Sequence, residues 1–383
     1  MIYGKICIVG KGEIMLLPVK SLKEVQNEIN EQLGVMKKLN PQNGYYFHTH
    51  GSREYSIHDT KVETTMCHKD DNELILAHFK SKKGYNSKLK NSKQFANHYA
   101  EYIAYLILKQ LGKKVCKTDL GEIAIRNKYS NKVINIEGVL SQYEVTVEEN
   151  FKPLMVIAES YKKEHPKKYR EMTTRGKTNS EDNYVNIEII LKTLEEYYTK
   201  NGQSDKIPQM RKDFFDMCMF DLMFANRDRS DDNFGVKVNQ RTNEINFYAL
   251  FDNEQILGMQ EEKDDIVRYL SSDKEYQKFK KQNLTSCIGI PGNPKKTEPI
   301  ALLTYLLEHY HEETIDSLND IGRYTFSHLE EVLEVCPKLS TEHKTFAKKI
   351  FLERQEEITD TLKAFQKRKV EENLKEDDDS LEL

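Results

Sequence analysis

The sequence predicts an α+β fold in two lobes. Residues 1–140 would form a β-rich lobe carrying one long helix, and residues 141–370 a mainly helical lobe with one embedded hairpin. Three observations predict this. Short β-like runs separated by polar turns crowd the first part of the chain. Helical periodicity dominates after residue 149. Two short β-like runs, 234–238 and 245–250, interrupt those helices. A continuous strand–helix alternation is absent, which argues against a doubly wound parallel sheet. With 383 residues the chain is long enough for two lobes.

In the first lobe the β-like runs fall at 5–9, 54–57 and 74–79. A long amphipathic helix over 93–111 follows, with Phe95, Tyr99, Ile103, Leu106 and Ile107 on one side. Gly112 stands where a glycine ends a helix. A further strand spans 133–143. Helices are expected over 154–164, 186–200, 210–224, 299–311, 326–335 and 341–370. The second of these is stopped by Asn201-Gly202, and the third opens after Pro208. The turn 239–243 joins the two runs of the hairpin. Residues 371–383, with Glu376-Asp377-Asp378-Asp379, read as an acidic disordered tail.

Composition narrows the function classes. Hydrophobic residues make up 38% and charged residues 31%, with no apolar run long enough to span a membrane. A net charge of −4 argues against a general nucleic-acid binder. The first residues lack the charged start and apolar core of a signal peptide. Six cysteines, at 7, 67, 116, 218, 287 and 336, form no Cys-x-x-Cys pair. Reduced thiols in a cytoplasmic protein are expected. His48, His50, His58, Cys67 and His68 cluster without a paired zinc-finger spacing, so a metal role for them is disfavoured.

The stretch Asn226-Arg227-Asp228-Arg229-Ser230-Asp231-Asp232-Asn233 joins an apolar helix to the hairpin. Its Asp228 and Asn233 have the Asp-x-x-x-x-Asn spacing of kinase catalytic loops. The carboxylate would accept a hydroxyl proton, and the amide oxygen would turn back towards Mg²⁺. After the hairpin comes Phe251-Asp252-Asn253-Glu254. The hairpin folds its own ends together, which returns Asp252 to the same place as a second metal ligand. Surface acids are common, but helix, loop, hairpin and second Asp in that order form a specific combination.

These residues resemble the HipA-like serine/threonine kinase family, over roughly residues 51–257 and more vaguely beyond. The resemblance implies a protein-kinase-like fold, ATP and Mg²⁺ as cofactors, and phosphorylation of a protein hydroxyl. It implies Asp228 as the base, and Asn233 and Asp252 as metal ligands. Many members carry His after Asp-Arg, where this chain has Ser230. The opening residues do not match the family's N-terminal subdomain, so the resemblance assigns no antitoxin partner.

Lys80 closes the apolar run of its strand, and Glu101 is a lone acid on an apolar helix face that benefits from a cation. The family pattern of strand Lys and helix Glu places its pair there; Lys82 and Lys83 remain alternatives for the cation. Gly51 and Ser52 open a Gly/Ser turn whose backbone N–H groups would cradle phosphate. The family likeness makes Ser52 and Ser56 candidate autophosphorylation sites. Adenine would lie near residues 139–143. A lipid or small-molecule kinase and a non-catalytic pseudokinase are the rival readings.

Overall fold

A computed structural model describes residues 19–31, 46–47, 56–58, 61–70, 73–81, 95–126, 133–146, 148–175, 183–291, 297–336 and 338–381. Gly51, Ser52, Lys82 and Lys83 lie outside these residues, as does the run 5–9. In chain order the first elements are α1 (Leu22–Glu31), β1 (Tyr46–Phe47), β2 (Ser56–His58), β3 (Lys61–Asp70), β4 (Glu73–Ser81), α2 (Asn97–Gln110), β5 (Thr118–Arg126) and β6 (Val133–Gln142). Next come β7 (Glu149–Pro153), α3 (Leu154–Glu164), α4 (Pro166–Met172), β8 (Thr173–Arg175), β9 (Asn183–Val185), α5 (Ile187–Lys200), α6 (Ile207–Met223), β10 (Gly235–Asn239) and β11 (Ile245–Phe247). The chain ends in α7 (Lys263–Ser271), α8 (Asp273–Asn283), α9 (Pro299–His309), α10 (His311–Gly322), α11 (Phe326–Glu334) and α12 (Thr341–Leu381).

The fold is mixed, with antiparallel sheets and many helices. The main sheet runs β1-β3-β4-β6-β5, with β2 paired to β3. Helix α2 packs against β5 and β6. It is buried at most positions, from Asn97 to Gln110. Gly112 takes φ +70, and the Lys113 N–H bonds the Leu108 carbonyl at 2.8 Å. That is the helix stop a left-handed glycine provides.

The expected hairpin forms from β10 and β11, in the register Val236↔Phe247 and Val238↔Ile245. Strand β7 extends it to three strands. Gly235 is required there, because a Cβ would stand 2.1 Å from the Lys152 carbonyl oxygen. Helix α6 is buried all round, from Phe214 to Met223, and therefore lacks the one-sided pattern of a surface helix. The Phe224 ring just beyond it stacks on Phe351 at 5.5 Å and meets Tyr324 edge-on at 5.5 Å. These rings anchor the point where the candidate catalytic loop begins.

Helix α12 continues to Leu381, through the acidic stretch where composition predicts a disordered tail. Pairs such as Lys369–Glu372 at 2.8 Å, and Arg368–Glu308 at 2.8 Å, support its later turns. Among the described residues Cys116, Cys218, Cys287 and Cys336 are free thiols. No described helix is long and apolar enough to cross a membrane.

Candidate functional site

Lys80 sits near the end of β4, opposite Val139 of β6. Gly138 lets the two strands close, since a Cβ there would approach the Lys80 carbonyl oxygen to 2.3 Å. The Lys80 ammonium forms an ion pair with Asp252 and lies 4.0 Å from Glu254. Burial alone would lower its pKa, but Asp252, Glu254 and Glu101 together raise it, so the group stays charged.

Glu101 projects from α2 and is 3% exposed. Its carboxylate accepts a hydrogen bond from the Asn253 backbone N–H. Burial pushes its pKa up to about 7; Lys80 opposes that rise and Asp252 adds to it. The expected Lys80–Glu101 ion pair does not form among the described residues. Lys80 reaches instead to Asp252, the nearer carboxylate, and Glu101 holds the backbone beside it.

These side chains edge a cleft of about 330 Å³. Lys80, Glu101, Asp252 and Glu254 line one part of it, and Phe151, Tyr248 and Phe251 another. The three rings touch, with centroids 4.6 Å (Phe151–Tyr248) and 5.3 Å (Phe151–Phe251) apart. Ser141, Gln142 and Tyr143, in the segment expected to meet adenine, also line the cleft.

The loop carrying Asp228 leaves α6 through Ala225, a non-glycine residue at φ +52. The Asn226 N–H bonds the Asp221 carbonyl at 2.9 Å, and its side-chain amide bonds the Asp221 carboxylate at 2.8 Å. Asp228 and Asn233 are not among the residues lining the cleft; they stand on the adjoining loop. The Asn233 amide nitrogen donates to the Asp228 backbone oxygen at 2.7 Å, which leaves its amide oxygen as the remaining acceptor. The Asp228 carboxylate accepts from the Gln255 amide. Burial raises its pKa, with Asp252 and Glu254 adding, while Gln255 and Lys80 pull it down.

Arg229 ties these segments together. It is 2% exposed. Its guanidinium grips Asp221 through two bonds, at 2.9 and 3.0 Å. It also donates to the Asn233 backbone oxygen at 3.1 Å, the Phe251 backbone oxygen at 2.9 Å and the Asn253 side-chain oxygen at 2.6 Å. One cation thus joins α6, the loop and the segment after the hairpin. Sequence reasoning missed Asp221 and Gln255, and gave Arg229 no role of its own within the loop. A signal for Asp221 was present, because it is an acid inside the buried apolar run Met217–Met223 of its helix, much as Glu101 interrupts an apolar helix face.

Of the residues named from sequence, Lys80 and Asp252 pair at the cleft, and Glu101 lines it beside them. Asp228 and Asn233 join them through Gln255 and Arg229. Gly51 and Ser52 lie outside the described residues, and Ser56 opens β2. His48 and His50 also fall outside them, and the side chains of His58, Cys67 and His68 are not described. The described residues contain one His–carboxylate group, Glu164, His165 and Glu196, but Lys200 is ion-paired to both carboxylates.

No family model matches the chain, and no curated protein matches its sequence. Solved structures do. The Helicobacter pylori proinflammatory kinase CtkA aligns over 85% of this chain and 96% of its own, with a TM-score of 0.60 and 19% identity. HipA of Shewanella oneidensis, from its toxin–antitoxin complex with HipB and operator DNA, aligns over 92% of this chain and 76% of its own. Its TM-score is 0.46 and its identity 14%. The likeness to CtkA shows a kinase-like fold.

Proposed function

We propose that this chain is an ATP- and Mg²⁺-dependent phosphotransferase with a two-lobed kinase layout. It would transfer the γ-phosphate of ATP to a serine or threonine hydroxyl of a protein. Residues 1–140 would form the nucleotide lobe and 141–370 the catalytic lobe. The observation that carries the reading is convergence. Lys80, Glu101 and Asp252 come from a strand, a helix and a loop far apart in sequence, and meet at one edge of an aromatic-walled cleft beside Asp228.

The donor set fits magnesium. Asn233 offers a neutral amide oxygen and Asp252 a carboxylate, both hard oxygen ligands. When bound, the ion would neutralise charge on the phosphates. Lys80 would hold the α/β-phosphates, and Glu101 would fix the Asn253 backbone and so the approach of Asp252. The rings of Phe151, Tyr248 and Phe251 would give the base an apolar wall. Asp228 would orient the acceptor hydroxyl and take its proton. Such catalysis rests on positioning and charge stabilisation.

The test is radiolabelled phosphate transfer from ATP into the proteins and lipids of a whole-cell lysate, beside Asp228→Asn. Wild type should label protein, and the variant should retain the fold and ATP binding while losing most transfer. Label in the lipid fraction alone would point to a lipid kinase. No transfer by folded, ATP-binding wild type would point to a pseudokinase.

A further inference from the structure

Gln255 lies beside the candidate base but belongs to none of the roles above. Its side-chain nitrogen donates to one oxygen of the Asp228 carboxylate. Its side-chain oxygen accepts from Arg227 Nε at 3.2 Å. The orientation of the amide is therefore set by chemistry. Turned over, it would present its oxygen to a carboxylate and its NH₂ to a guanidinium N–H, and lose both bonds.

Arg227 is itself held. It bonds Glu261 at 2.5 Å and the Asn283 carbonyl oxygen at 3.5 Å, and its guanidinium lies 5.9 Å from the Phe279 ring centroid. The backbone around Gln255 is constrained too. Asp252 and Leu257 both take φ +53, and the Leu257 N–H bonds the Phe224 carbonyl at 2.8 Å. A fixed cation thus fixes an amide, and the amide fixes one oxygen of Asp228.

We propose that Gln255 is a positioning residue, clamped by Arg227, that locks the Asp228 carboxylate so that its other oxygen alone faces the acceptor hydroxyl. This rests on the reading of Asp228 as the base. Without the clamp the carboxylate rotates about its side-chain bonds, and reach to the hydroxyl is lost in a fraction of configurations. A misplacement of about 1 Å costs on the order of 10²-fold in rate. A lock of this kind acts on kcat and leaves the binding of ATP alone.

Two measurements test it. The first needs no activity. In a ¹⁵N side-chain amide spectrum the Gln255 NH₂ pair is identified by its loss in Gln255→Met. It should be displaced from the exposed glutamines in wild type and return towards them in Asp228→Ala. A Gln255 signal that sits with the exposed glutamines in wild type, or does not move in Asp228→Ala, overturns the proposal whatever the enzyme does. The second is kinetic. Gln255→Met should lower kcat on the order of 10²-fold with KM for ATP unchanged. The same change should add nothing in an Asp228→Asn background. Equal losses in both backgrounds would make Gln255 merely structural and sink the proposal. Full transfer by Asp228→Asn would instead sink the assignment of the base.

Discussion

Replacing Arg229 with methionine should destabilise the protein severely, and the cost can be worked from its partners. The Arg229 side chain is 1% exposed and that of Asp221 8%. Removing one partner of such a pair strands a buried charge, which costs about 3–5 kcal/mol. The carbonyls of Asn233 and Phe251 and the side chain of Asn253 also lose a donor. Each orphaned acceptor costs about 1–3 kcal/mol unless water reaches it. Methionine keeps most of the stem, so the loss falls mainly on the charge and hydrogen bonds of the guanidinium. The expected destabilisation in urea titration is at least about 3–5 kcal/mol, and larger by about 1–3 kcal/mol for each acceptor that water does not reach. Asp221→Asn combined with Arg229→Met should recover part of it, because the neutral amide removes the stranded charge. A loss below about 1 kcal/mol in the single variant, the scale of an ordinary surface pair, would refute the hub. So would strict additivity in the double variant.

Other expectations follow from the same geometry. Asn233→Ala and Asp252→Ala should each weaken the Mg²⁺-dependent part of ATP binding in titration calorimetry; an unchanged dependence in both would move the ligands elsewhere. Lys80→Met leaves Glu101, Asp228, Asp252 and Glu254 without their shared cation, so Mg²⁺ alone should stabilise this variant more than wild type. At tenfold the dissociation constant the gain is about 1.4 kcal/mol, read as a shift in thermal midpoint, and an equal shift in both proteins would contradict the reading. Away from the site, Glu188 is only partly buried, and that burial pushes its pKa up. The Tyr310 and Tyr305 hydroxyls, bonded at 2.5 and 2.9 Å, together with Lys192 at 3.3 Å, outweigh this and lower it. A depressed carboxylate stabilises above its unfolded pKa and loses that contribution as pH falls through the folded value. Glu188→Gln should therefore be less stable than wild type at pH 7, by no more than about 1 kcal/mol once solvent screening is allowed for, and the gap should close as pH falls through the lowered folded pKa. A gap that persists unchanged in acid would mean shape, not charge, is responsible.

Much of the site was legible because its markers are local. Asp228 and Asn233 are separated by a short loop, and the β-like runs 234–238 and 245–250 on either side of the turn 239–243 imply that the chain returns on itself to bring Asp252 back. Lys80 and Glu101 were legible as a charge closing an apolar strand and an acid interrupting an apolar helix face. The ion pair expected between them does not form, because three carboxylates compete for one ammonium and sequence spacing does not rank distances across segments. Helices α1, α4, α7, α8 and α10 went unread. Helix α8, DKEYQKFKKQN, buries only Tyr276 and Phe279 and carries almost no apolar stripe. It is helical through its Ser272 cap, which accepts from the Glu275 N–H, and through tertiary contacts such as the Tyr276–Glu353 bond at 2.8 Å.

The least legible feature is where backbone strain collects. Among the described residues four non-glycine residues take positive φ: Ala225, Asn243, Asp252 and Leu257. Asn243 lies in the hairpin turn, where asparagine tolerates that conformation. The other three bracket the candidate site, and each left-handed residue costs roughly 1–2 kcal/mol. Nothing in an alanine or a leucine announces such a backbone. The strain persists because neighbouring bonds over-determine it: Asn226 N–H to the Asp221 carbonyl, Leu257 N–H to the Phe224 carbonyl, and Glu101 and Arg229 on either side of Asn253. Strain held in this way is expected at sites that must present groups in fixed directions. Here it aims Asp252 at Lys80 and turns Gln255 towards Asp228. The same bonds that hold the strained backbone therefore set the chemistry, and that is why a buried arginine absent from the cleft wall should matter as much as the residues that line it.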